Sequence, residues 1–188
     1  MRATLLVLAG FAVLIMGLDF SLVAGSTVTV SATVAESITC STNTATTAFG
    51  TLDSGSVSTS TPNASTTISC NTGLGCTLNV QDANTGLATT SPAYTIASAD
   101  ATLSAGTEGY GIQATTTASG SGGTLGIPAK FNKTGNAVGG LATGNAIIAS
   151  STASVSGREN MVTHKAAISG TTQAASYADT ITYSCTAN

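Results

Sequence analysis

An all-β fold, built as a sandwich or barrel, is what this sequence predicts, and three observations carry it. Thr, Ser, Ala and Gly dominate while Glu, Lys, Gln and Arg are scarce, and Thr and Val suit a half-buried strand better than a helix. Apolar residues alternate with polar ones over short runs, with no helical stripe. Turn signals separate those runs about every 10 residues.

The elements follow in order. Met1-Arg2 and the apolar run Leu5 to Leu18, then the small residues Val23-Ala24-Gly25-Ser26, have the layout of a secretory signal cut after Ala24 or Gly25. Residues 1–25 therefore read as a signal peptide, the run being shorter than the roughly 20 residues of a membrane-spanning helix. Ser26 to Val34 is the cleanest alternation in the chain, with Val28, Val30, Ala32 and Val34 on one face and Thr27, Thr29, Ser31 and Thr33 on the other. It reads as a strand with one buried face. Further strands are expected at 37–41, 47–52, 65–70, 76–82, 94–97, 109–114, 146–149, 161–168 and 178–185. Asp53-Ser54-Gly55, Asn71-Thr72-Gly73, Asn84-Thr85-Gly86 and Ser169-Gly170 supply turns between them. Residues 115–144, rich in Gly, Ser and Thr, read as a long surface excursion with one short strand at 127–131.

Composition narrows the function classes. Charged residues make up 7% of the chain, too few for the basic face that nucleic-acid binding requires, and the net charge of −3 implies no electrostatic partner. Cys40, Cys70, Cys76 and Cys185 in an exported domain suggest two disulfides, for which three pairings exist. Cys70 and Cys76 are too far apart for a CxxC zinc knuckle, and His164 is the sole histidine, so no metal or cofactor is expected. Gly109 to Ala114 fits the loose G-x-G-x-x-A pattern, but a Thr run follows where a nucleotide site needs a helix. Asp82-Ala83-Asn84-Thr85-Gly86 resembles the start of a calcium loop without its later glutamate, and reads as a turn. His164, beside Lys165, reads as an outward strand position, and no nucleophile-elbow sequence accompanies it. The chain is not expected to be an enzyme. Asn63-Ala64-Ser65 and Asn132-Lys133-Thr134 are N-glycosylation sequons, relevant only in a host that glycosylates.

Val28 to Val34, then Cys40, Phe49-Gly50-Thr51-Leu52-Asp53, Thr67-Ile68-Ser69-Cys70 and, near the other end, Tyr177 to Tyr183 together resemble the pilins of the archaic chaperone–usher type, a family that includes the spore-coat-U-type domains. The resemblance covers both ends of the mature chain. It implies an incomplete immunoglobulin-like β-sandwich over 39–188, preceded by an N-terminal donor strand within 26–38 that completes the next subunit. Val28, Val30, Ala32 and Val34 would be the donor residues, and the family's first cysteine pair maps onto Cys40 and Cys70. Cys76 and Cys185 are extra to that pattern. If the first two core strands are antiparallel, the start of one (Cys40) faces the end of the other (Cys70), and if the next strand pairs with the last, Cys76 faces Cys185 and closes the second bridge. The rival, Cys70–Cys76 with Cys40–Cys185, stays open.

The implied function is a structural subunit of an extracellular pilus or surface filament for adhesion or biofilm cohesion. Its partners would be neighbouring copies and, as in the family, a periplasmic chaperone and usher. The alternative is a self-contained secreted surface or adhesin domain in which residues 26–38 pair within their own chain.

Overall fold

A computed structural model describes residues 25–188, so the signal assignment, all but Gly25, lies outside the described residues. The chain divides into two units, the second being Ala35–Asn188.

Of the first unit, residues 25–34 are described. They form no strand, and Val28, Val30 and Val34 are 85%, 89% and 85% exposed. The alternation there predicted a strand with one buried face, yet neither face is covered. A ladder needs a partner edge.

The second unit is all-β and consistent with a β-sandwich. Its strands are β1 (Ile38–Thr42), β2 (Ser58–Thr59), β3 (Ala64–Cys70), β4 (Cys76–Asp82), β5 (Gly86–Thr90), β6 (Ala93–Ala97), β7 (Ala101–Thr102), β8 (Gly109–Thr116), β9 (Ser121–Gly122), β10 (Ala137–Val138), β11 (Ala146–Ser150), β12 (Val155–Ala167) and β13 (Ile181–Ala187). Among the described residues there is no helix.

The 13-residue β12 organises one sheet. It pairs antiparallel with β3 and β2 and with β8 and β9, and β1 extends the sheet beyond β3. β2 and β3 meet successive parts of β12, Lys165 opposite Thr59 and Val162 opposite Ala64. A second sheet runs β11–β4–β13, again antiparallel. The β5–β6 hairpin touches the approach to β13 through a bridge from Ala88 to Ala178. The core fills with Ile68, Leu78, Val80, Ile96, Tyr110, Ile112, Phe131, Ile148 and Val162.

Four expectations need correction. Residues 47–52 form no strand, only a bridge from Ala48 to Thr61. The stretch 115–144 is no surface excursion: Leu125, Phe131, Val138 and Leu141 are buried, and Phe131 closes a turn by donating its N–H to the Pro128 carbonyl at 2.9 Å. With four Phe, four Tyr and no Trp, the core recruits large side chains from an irregular segment whose spacing carries no period. His164 faces inward, 4% exposed, because Val162, His164 and Ala166 share the buried phase of β12 while Thr163 and Lys165 face out.

The disulfides are the fourth correction. Cys40 bonds Cys185 and Cys70 bonds Cys76; the Cys40–Cys70 and Cys76–Cys185 bridges are not formed. Register explains this. On β3 the residue opposite Cys40 is Ile68, and on β4 the residue opposite Cys185 is Leu78. Cys40 and Cys185 instead meet from β1 and β13, strands of different sheets, with their Cα atoms 5.8 Å apart. Cys70 and Cys76 end β3 and begin β4, so their bridge clips the tight 71–75 turn between sheets. Two bridges are compatible with an oxidising, extracytoplasmic setting.

Candidate functional site: an open groove along the last strand

Among the described residues β13 pairs only with β4, and β1 only with β3, so each leaves one edge unpaired there. Residues 42–52, which continue β1, and residues 172–183, which lead into β13, line a cavity of about 1110 Å³. Small-molecule sites span roughly 300–1,000 Å³. This one lies above that range and is bounded by two long chain segments, a shape suited to an extended peptide.

Its floor is the core itself. Ala64, Leu87, Tyr110, His164 and Ile168 line it from four different strands and the end of β12, and Phe49, Leu52, Tyr177, Ile181 and Tyr183 stand half-buried around them. Apolar side chains are thus left with one face uncovered. Two aromatic contacts set the floor: Phe49 meets Tyr110 edge-on at 6.2 Å, and Tyr110 stacks on His164 at 6.4 Å. The Cys40–Cys185 bridge lies two residues beyond Thr42 on one wall and two beyond Tyr183 on the other, tying the walls at that end.

The 169–180 connection that forms the upper wall is fastened from outside the groove. Glu108 accepts hydrogen bonds from the Tyr94 hydroxyl at 2.7 and 2.8 Å and from the Thr172 hydroxyl, while Tyr94 packs edge-on against Tyr177 at 6.3 Å. Tyr177 in turn donates to the Gln173 carbonyl at 2.7 Å. These contacts hold the wall away from the floor.

Several polar groups sit in this apolar setting. Burial holds His164 neutral and lowers it to about 4, and its Nδ1 has no hydrogen-bond partner. Burial, then the adjacent Asp82 carboxyl, pushes Asp179 up to about 7. Burial also raises Tyr110 and Tyr183, with the Asp179 charge adding to both. One oxygen of Asp82 caps its own turn, accepting from the N–H groups of Asn84 at 2.7 Å and Thr85 at 3.0 Å. The Asp82 segment is therefore a strand-end turn, and Thr85 adopts φ +61° within it.

Two of the segments on which the resemblance was argued border this groove, Phe49 to Leu52 on one wall and residues between Tyr177 and Tyr183 on the other, whereas Cys40, Asp53 and Thr67 to Cys70 do not line it. Of the other sequence candidates, Gly109 to Ala114 belongs to β8 with no helix after it, and Asn132 is exposed in the turn after Phe131. Val28, Val30, Ala32 and Val34, which the resemblance implied as donor residues, are exposed. Tyr110, Asp179 and Asp82 were not anticipated as groove residues. The available signal was an acidic residue inside an otherwise uncharged apolar motif, Ala178-Asp179-Thr180-Ile181. Among the described residues no three His, Cys, Asp or Glu side chains converge as a metal site would require. No family model matches the chain, and no curated protein or solved structure matches it either.

Proposed function

We propose that the chain is a structural subunit of an extracellular fibre, in which Thr27 to Val34 of one copy fills the groove of the next. On this reading the domain is an immunoglobulin-like sandwich lacking one strand, and its role is mechanical, with no turnover. One observation carries it. The same chain holds an open groove with an apolar floor and mixed polar walls, beside unpaired strand edges, and an alternating segment whose valines are 85% exposed or more. A strand laid along β13 gains main-chain hydrogen bonds, while alternate side chains enter the floor. Burying three valines contributes about 1.5–3 kcal/mol each and Ala32 less, roughly 5–9 kcal/mol before ordering costs.

The test is electrophoresis of the secreted protein, boiled and unboiled, with electron microscopy of the unboiled sample. A ladder that collapses on boiling, with thin filaments on the grid, is expected. Val30→Asp places a charge at the centre of the donor face and should remove both while leaving a groove that still accepts an intact donor. A monomer from the unaltered chain under both conditions, or filaments from Val30→Asp, overturns the reading.

A further inference from the structure

The groove wall holds one carboxyl group in contact with a second, buried one, and no side chain of the donor segment carries a charge that could neutralise them. Asp179 lines the groove, and Asp82, 1% exposed, lies against it within hydrogen-bond reach. The Oδ2 atoms of both are buried and receive no hydrogen bond. The Tyr110 hydroxyl is within hydrogen-bond reach of the Asp179 carboxyl, but neither Oδ2 has a bonded donor, and one proton shared between the two carboxyls satisfies both.

The surroundings supply no cation. Asp179 faces Tyr110 of β8 and Tyr183 of β13, both held protonated by burial, and His164 of β12, behind Tyr110, is neutral above about 4. Glu108, on the far side of the upper wall, is occupied by Tyr94 and Thr172. Among the described residues no Lys or Arg lines the groove. Lys165 is bonded to the Thr59 hydroxyl at 3.0 Å, and Arg158 to the carbonyls of Gly123, Ser119 and Gly122. Residues 26–35 carry no ionisable side chain; the first is Glu36.

We infer that Asp82 and Asp179 form a proton latch on the groove, so that a donor strand is accepted with a proton held between the two carboxyls and is expelled when that proton leaves. This rests on the donor-strand reading above and adds its regulation. Filling the groove strips water from Asp179, and desolvation penalises the ionised form, so the bound state holds the proton more tightly than the empty one. By linkage, affinity is level below about 7, where the empty groove is already protonated. It then falls by up to about tenfold per pH unit above that, one proton being released with the donor.

The probe is an N-acetylated, fluorescently labelled peptide of residues 26–35, titrated by anisotropy from pH 5 to 9 against the full-length secreted Val30→Asp chain, whose own donor is disabled. A dissociation constant flat to about pH 7 and rising steeply beyond it is expected. Asp179→Asn, whose amide can donate to Asp82 as the protonated acid does, should bind with one affinity across the whole range, its folding checked by thermal melting. Peptide binding that is pH-independent in both chains, or that weakens equally in both, overturns the latch and leaves the donor-strand reading standing. No binding at any pH in either folded chain overturns the two together.

Discussion

His164 and Asp179 sit in the same groove with opposite consequences for stability. The unfolded histidine takes its proton near 6.5 and the folded one only near 4, so its contribution is complete above 6.5 and is lost as pH falls through 4. That loss is about 3 kcal/mol when complete. Asp179 runs the other way: held protonated to about 7 against an ordinary 3.8, it stabilises most below 3.8 and that contribution is lost as pH rises through 7. The unaltered chain should therefore show a shallow dependence between pH 4 and 6.5. Urea midpoints of His164→Leu should fall steadily as pH rises from 4 to 7, and those of Asp179→Asn should climb from 4 to 6.5; parallel curves for all three would contradict the assignment. Phe131 makes a separate case. It is wholly buried in a stretch that reads as polar surface, and Phe131→Ala should cost about 3–5 kcal/mol by the same measurement. Its burial was invisible in the sequence because Leu125, Phe131, Val138 and Leu141 fall at no common period. The inward turn of His164 was hidden too, since its neighbours on both sides admit either phase.

Strands whose own residues alternate were readable. β3, β4, β6, β8 and β11 lie within two residues of the expected bounds, and β4 matches them at both ends. Elements imposed by neighbours were not. The first half of β12, Val155 to Asn160, contains Gly157, Arg158 and Glu159 and lacks strand character, yet β3 flanks it on one side and β9 on the other. β5 opens on Gly86 and depends on its hairpin partner β6. The disulfides followed the same division: cysteine count is a property of sequence, whereas pairing depends on which strand crosses which layer. Chain-entropy arguments give about 5 kcal/mol for the bridge spanning 145 positions and about 2 kcal/mol for the one spanning 6. Replacing Cys40 and Cys185 by Ala should thus lower the unfolding free energy by about 3 kcal/mol more than replacing Cys70 and Cys76, and non-reducing peptide mapping should recover those two pairs. Within the smaller loop, Gly75 adopts φ +83°, and a Cβ there would lie 2.1 Å from the Ser151 carbonyl oxygen. Gly75→Ala should destabilise by at least about 1–3 kcal/mol, read from the shift in denaturant midpoint.

As a whole, the molecule was legible in its single strands and opaque in their assembly. The alternation before β1 predicted a strand that the described residues do not form, and the floor of the groove was assembled from β3, β5, β8 and β12, which no single stretch announces. Cys40 and Cys185 have a consequence at this scale that concerns load. They close the domain into a covalent loop that leaves only the N-terminal arm and Thr186 to Asn188 outside it. A tensile force applied between the arm and the C terminus passes from Cys40 straight to Cys185 and bypasses the residues between them, the two cysteines being 145 positions apart. In single-molecule pulling, the oxidised protein should behave as a short inextensible link. The chain lacking that bridge should yield, paying out about 500 Å of contour at the extended reach of roughly 3.3–3.6 Å per residue. For a pull between those two points, the load is carried by one sulfur–sulfur bond, whatever the stability of the core.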